Sequence, residues 1–209
     1  MTTIPATVQG SFYEKLYPDT YDRFRRDVAD HQLTVVHDQG LYRHLRFRNP
    51  KSFMYWYDLV TFPGSLVIKG DMGTHIFTRE EDMFGFFGTG DINPSYWAEK
   101  TPDWGRGPGI KEYRPTIFES TILSMSGDFV REHTVLDTAL FVSQINHGIL
   151  EEKDDYHAAV RAASDFSWNG HEVFPEIHGM DFTEYTEQFL WSCLAIPYGI
   201  RHYRATKTR

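Results

Sequence analysis

The residues best equipped for chemistry lie between Tyr42 and His75. In the run Leu41-Tyr42-Arg43-His44-Leu45-Arg46-Phe47-Arg48, side-chain character changes with the period of an extended strand. Tyr42, His44, Arg46 and Arg48 then share one face, and Leu41, Arg43, Leu45 and Phe47 share the other. Neighbouring segments that also read as strands or their turns supply Asp58, Lys69, Asp71 and His75. Histidine titrates near neutrality without help, so His44 or His75 beside a carboxylate could move a proton. His44, Asp58, Asp71 and His75 are therefore the candidate catalytic residues. Tyr42, Arg46, Arg48, Trp56 and Lys69 are the candidate binding residues. Arginines beside aromatic rings anchor protein interfaces, and such rings also stack on single-stranded bases. The plainer alternative is a solvated sheet face held by cross-strand ion pairs, because charges in strands must face water or pair.

Other chemistries lack their residues. The ten histidines include no His-Glu-x-x-His, and a single cysteine excludes zinc ribbons and fingers. His171 and His178, with Glu172 and Glu176 between them, lie in a segment interrupted by Pro175 and Gly179, and read as loop histidines. Asp154 or Asp155, ahead of His157, reads as a helix cap. Gly105-Arg106-Gly107-Pro108-Gly109 lacks the Gly-Lys-Ser/Thr ending of a phosphate-binding loop, and Pro108 has no N–H to donate. No Gly-x-Ser-x-Gly elbow is present. Cys193, among Phe189, Leu190 and Leu194, reads as a core residue. No metal and no cofactor is expected.

The elements that must position the candidate residues follow from pattern. Tyr17, Tyr21, Phe24 and Val28 recur at helical spacing, with Asp19 as the expected N-cap. From Leu33 the period becomes two. Strands are expected at 33–37, 41–48, 53–62, 65–69 and 74–77, joined by tight turns that leave antiparallel pairing as the only option. This five-stranded meander spans about 33–77. Tyr55-Trp56-Tyr57 places large rings on both faces of its third strand. Thr78 and Glu81 form a capping box for a short helix carrying Met83, Phe84, Phe86 and Phe87. A second short helix is expected over 93–100. The glycine- and proline-rich stretch 88–115 otherwise reads as a long loop, and loops of that length are usually functional or ordered by a partner. Beyond it the chain reads as helical. Thr116 with Glu119 caps a helix bearing Phe118, Ile122, Met125 and Phe129, with Gly127 weakening its end. Further helices carry Val135 to Ile149, and Tyr156, Val160 and Ala163. Asp181 with Glu184 heads a last helix that Pro197 should stop, leaving Ile200–Arg204 as a strand or extended tail. The fold class is therefore α+β: an antiparallel sheet packed with helices and a helical C-terminal half. The expected organisation is a region 1–115 and a helical region 116–209 sharing one core.

Composition bounds the function. Of 209 residues, 41% are hydrophobic and 24% charged, which is ordinary for a globular protein, and 16% aromatic content argues against disorder. Lysine plus arginine number 21 against 29 acidic residues, a net charge of −8. A protein coated for nucleic acid would be basic, so direct nucleic-acid binding is not expected as the main role, although a local basic patch stays open. No apolar run approaches the roughly 18 residues of a membrane span. Met1 to Gly10 lacks a basic start and a long apolar stretch, so no signal peptide is expected. The single cysteine fits a reducing cytoplasm.

The segments Leu41-Tyr42-Arg43-His44-Leu45-Arg46-Phe47-Arg48-Asn49-Pro50, Tyr57-Asp58-Leu59-Val60-Thr61-Phe62-Pro63-Gly64, Gly70-Asp71-Met72-Gly73-Thr74-His75-Ile76-Phe77-Thr78-Arg79 and Asp82-Met83-Phe84 carry a resemblance, over about residues 31–100, to uncharacterised proteins encoded by bacteriophages and prophages. No activity is known for that group. The resemblance implies a setting in the bacterial host cytoplasm and the role of a phage accessory factor. The expected function is binding and modulation of a host protein or ribonucleoprotein complex, in its most concrete form inhibition of a defence system such as CRISPR–Cas. The alternative is a small enzyme acting on nucleotides or nucleic acid through the sheet-face residues. A homo-oligomer is a third expectation.

Overall fold

A computed structural model describes residues 12–89, 91–102, 107 and 109–208. Part of the expected N-terminal arm, and most of the Trp104–Gly109 stretch, lie outside the described residues. The chain forms two compact units, 1–111 with 185–209, and 112–184. The expected division at 115/116 therefore misses a return. The last helix belongs with the sheet, and each unit buries its own apolar cluster.

In the first unit, the α+β expectation holds. α1 (Phe12–Leu16) and α2 (Pro18–Asp27) precede five strands, β1 (Gln32–Gln39), β2 (Tyr42–Arg48), β3 (Tyr57–Phe62), β4 (Ser65–Gly70) and β5 (Gly73–Thr78). The sheet order is β1-β2-β3-β4-β5, every pair antiparallel. Gly40, Gly64 and Gly73 sit in the turns at φ of +62°, +81° and +95°, a region that costs glycine little. One face is sealed: Leu45, Phe47, Tyr57, Leu59, Leu66, Ile68 and Phe77 are all buried. Their cover is the long α8 (Glu187–Lys207), against which α2 packs in turn. Phe24 meets Trp191 edge to face at 5.2 Å, and the Trp191 indole N–H donates to Asp27 at 3.0 Å. The Tyr13 hydroxyl donates to the Leu190 carbonyl at 2.8 Å.

Several local expectations are corrected. α2 starts on Pro18, with Tyr17 rather than Asp19 at the N-cap and no side-chain cap, because proline needs no N–H partner at the first helical position. β3 begins at Tyr57, not Phe53. Tyr55 takes φ +59° and reverses the chain there, so the three consecutive rings do not share a strand. The loop closes onto the β4–β5 turn. The Asp71 carboxylate accepts from Tyr55 N at 2.8 Å, and Asp71 N donates to the Trp56 carbonyl at 3.0 Å. α3 (Met83–Phe87) is capped by Asp82, which accepts from Phe84 N at 3.0 Å, not by Thr78. Asp82 also holds Arg43 through two hydrogen bonds of 2.7 and 3.2 Å. α4 covers only Pro94–Ala98, capped by Asn93.

α8 departs most. Thr186 caps it, accepting from Phe189 N at 3.2 Å, while Asp181 instead turns the chain by accepting from Thr183 N. Pro197 lies inside the helix, which continues to Lys207. A mid-helix proline costs about 3 kcal/mol. Past it, Ile200 is fully buried and Tyr203 nearly so, and each buried side chain returns roughly 1.5–3 kcal/mol, enough to carry the helix through.

The chain also pairs β6 (Lys111–Tyr113) with β9 (Thr183–Tyr185), and the second unit holds a small hairpin of β7 (Ser167–Trp168) with β8 (His171–Glu172). Its helices are α5 (Pro115–Glu132), α6 (Thr138–Gly148) and α7 (Tyr156–Ser164). α5 starts on Pro115 with Arg114 as its N-cap residue, so the Thr116/Glu119 box is not used. Gly127 does not break it, since Phe118, Ile122 and Phe129 are buried on both sides of that glycine. Asp137 caps α6, and Asp155 caps α7 by accepting from His157 N and Ala158 N, as the Asp154/Asp155 reading expects.

Candidate functional site

The strand registers sort the exposed face of the sheet into rows that run across the strands. Arg46, Asp58, Lys69 and Thr74 are successive cross-strand partners. Two residues along each strand, His44, Val60, Val67 and Ile76 form the next row. Beyond them, at the next alternate positions, stand Tyr42 on β2 and Phe62 on β3. This face alternates with the buried one along β2 to β5, as pleating requires, whereas β1 carries an irregularity between Val35 and His37.

Asp58 is the polar centre. Its side chain is 0% exposed, roofed by Arg46 and His44. Arg46 Nε and Nη2 donate to its two oxygens at 2.8 and 2.9 Å, and His44 Nε2 lies 2.9 Å from Oδ2. Burial alone would push this carboxyl up. The hydrogen bonds from Arg46 and His44 and their charge outweigh that and hold it below the usual carboxylate range. The Arg46 guanidinium also lies 6.0 Å from the Trp56 ring, and Arg48 lies 5.0 Å from Phe53. On the five strands, Asp58 is the only carboxylate of this face. Asp58 pairs with Arg46, so the face's positive charge toward solvent comes chiefly from Arg48 and Lys69. Tyr42, Phe62 and Ile76 are 55%, 42% and 41% exposed, while Val60 and Val67 are half-buried.

The structure thus joins His44, Arg46 and Asp58 and sets Lys69, Arg48, Tyr42 and Trp56 around them. It separates the other two candidate catalytic residues. Asp71 braces the turn under Tyr55. His75 is on the opposite face, 6% exposed, edge-on to Phe189 at 5.4 Å. Among the described residues its Nε2 has no hydrogen-bond partner, and burial pushes its pKa down to about 4. The reason is pleating: His75 shares the parity of Ile68 and Leu59, its row partners, and so falls in the core. The four-residue catalytic set does not form.

The aliphatic row Val60, Val67 and Ile76 was not among the candidates. Its signal is present in the alternation, but only the register shows that these residues line up. In the second unit, His178 Nε2 lies 2.9 Å from Ser164 Oγ beside a cleft of about 450 Å³ whose lining includes Arg161 and Asp165. Nothing in the sequence pairs Ser164 with His178. His171 instead lies against His133, with ring centres 5.2 Å apart, and among the described residues no group of three His, Cys, Asp or Glu is placed to hold a metal ion. Cys193 is fully buried.

Comparison with protein families, with curated proteins and with solved structures gives no match. Among the described residues no helix is long and apolar enough to cross a membrane.

Proposed function

We propose that this chain is a binding protein that grips a host macromolecule with the exposed face of its sheet. The observation that carries the reading is that face itself: a half-buried to exposed aliphatic row, an exposed aromatic flank and a row bearing Arg46 and Lys69 lie side by side on a five-stranded sheet. Apolar surface next to arginine and aromatic residues is how interface centres are built. The resemblance to phage-encoded proteins supports the setting, a phage accessory factor in the bacterial cytoplasm that modulates a host protein or ribonucleoprotein complex. Inhibition of a defence system such as CRISPR–Cas is its most concrete form, and the net charge of −8 suits a protein that works beside a basic nucleic-acid channel. The test is affinity capture from bacterial lysate at modest salt. Wild type retains a stoichiometric protein or ribonucleoprotein, and Ile76→Asp releases it. Recovery of no stoichiometric partner overturns the reading.

A second reading rests on the His44–Asp58–Arg46 cluster, where an imidazole is held by a buried carboxylate beside a guanidinium. This is the kit of a small enzyme acting on nucleotides or nucleic acid. It predicts turnover of such a substrate that His44→Ala abolishes while the fold survives. Unchanged biological activity in His44→Ala removes it.

A further inference from the structure

The rows of the sheet face specify more than a sticky surface. We infer that the partner segment it takes is an amphipathic helix with an acidic flank, laid across the strands; this rests on the binding reading above. The middle row, Val60, Val67 and Ile76, occupies three adjacent strands. With strands about 4.8 Å apart, that row spans roughly 10 Å. The apolar stripe of a helix rises about 10.5 Å from i to i+7, with i+3 or i+4 between, so three helical side chains match three strands.

The flanks differ in kind. On one side, about 6.8 Å along the strands, stand Arg46 and Lys69; on the other, at the same step, stand Tyr42 and Phe62. The face's only carboxylate on the strands is held beneath Arg46 and His44, where it pairs with Arg46, so Lys69 carries the row's unpaired positive charge. A helix seated on the apolar row therefore places acidic residues over Lys69, beside the paired Arg46, and apolar or small residues over Phe62. Because the two flanks are unlike, only one orientation satisfies both.

Two other occupants fit less well. An extended peptide joins a sheet through edge hydrogen bonds, and a sheet face offers it none, whereas a helix satisfies its own backbone. Single-stranded nucleic acid needs rings under successive bases. The middle row here is aliphatic, and Trp56 and Phe53 already lie against arginines.

The experiment is selection of a displayed library of helical peptides, about 18 residues or five turns long, on the full-length chain. The sequences enriched should carry apolar residues at i, i+3 or i+4, and i+7, with Asp or Glu along one flank. Their binding should weaken about tenfold in Lys69→Glu and in Ile76→Asp, both exposed positions whose variants fold, as circular dichroism checks. Replacing the acidic flank by lysine should restore binding to Lys69→Glu. No enrichment, enrichment without a one-sided acidic bias, or indifference to both variants overturns the inference. So does tighter binding of an oligothymidylate than of any selected peptide. The two readings fail separately: if lysate capture needs Ile76 but no acidic helix is selected, only the helix is wrong; if capture ignores Ile76, the face itself is wrong.

Discussion

Asp58 sits in a sheet face open to water and yet is itself fully buried, so its energetics rest on two side chains. Arg46 gives it two hydrogen bonds and His44 a third. Removing the charge leaves the guanidinium facing a neutral amide and strips the strongest contacts from a buried site. Because Arg46 is 44% and His44 28% exposed, water recovers part of the loss. We expect Asp58→Asn to cost about 2 kcal/mol, read by urea denaturation, against the 3–5 kcal/mol of a fully dry ion pair. A loss under about 0.5 kcal/mol would show that the cluster is decorative. His75 is the converse case, a buried imidazole whose Nε2 has no partner among the described residues. Its pKa falls from 6.5 to about 4 by burial, so the unfolded chain binds the proton and the folded chain does not. The stability this represents is present above pH 6.5, falls as pH drops toward 4, and levels off below, in total about 3 kcal/mol. His75→Leu should therefore gain on wild type steadily between pH 6.5 and 4, whatever packing offset it shows at pH 7.5. Parallel stability curves for the two proteins would disprove the assignment.

At the level of elements, α8 approaches the sheet closely at Gly199. A Cβ on Gly199 would stand 2.6 Å from Leu59 Cδ1 and 3.0 Å from Phe47 Cε2, both in fully packed side chains. Alanine favours a helix over glycine by about 1 kcal/mol. Overpacking costs roughly 1–3 kcal/mol or more. Gly199→Ala should lower stability and the thermal midpoint, and a more stable variant would mean that α8 can rise off the sheet freely. This contact also marks where the sequence stops being legible. The meander could be read because its information is local: a period of two, with Gly40, Gly64 and Gly73 supplying the turns. His44, Arg46 and Asp58 could be gathered from neighbouring strands, although only parity relative to Leu59 and Ile68 consigns His75 to the core. Helix starts were less legible, because Ser/Thr-x-x-Glu spacings arise by chance; Thr78 and Thr116 have the pattern, whereas Asp82 and Pro115 occupy the starts. Pro197 reads as a stop because the cost of proline is local. The burial of Ile196, Ile200 and Tyr203 that overrides it depends on a sheet more than a hundred residues earlier.

For the whole molecule, the path of the chain decides what each part needs in order to fold. The segment 112–184 keeps its own apolar cluster, built on Phe118, Ile122, Phe141, Ala159, Phe174 and Phe182. The sheet depends on α8, which arrives only after that segment has been made, and α8 supplies Phe189, Trp191, Leu194 and Ile200 to the first unit's core. Without α8, Leu45, Phe47, Leu59 and Phe77 lose most of their cover, and a sheet whose apolar core face is open to water invites association. These dependencies predict opposite fates for two truncations. The excised segment 112–184, a little above the size at which single cores become marginal, should be soluble and helical and should unfold cooperatively when followed by far-ultraviolet circular dichroism. A chain ending at Glu184 should aggregate, although it retains every strand of the meander and the whole His44–Arg46–Asp58 cluster. A random-coil spectrum from 112–184, or a soluble and cooperatively folded chain ending at Glu184, would show that the core is shared differently and that the sheet does not depend on the C-terminal helix packed against it.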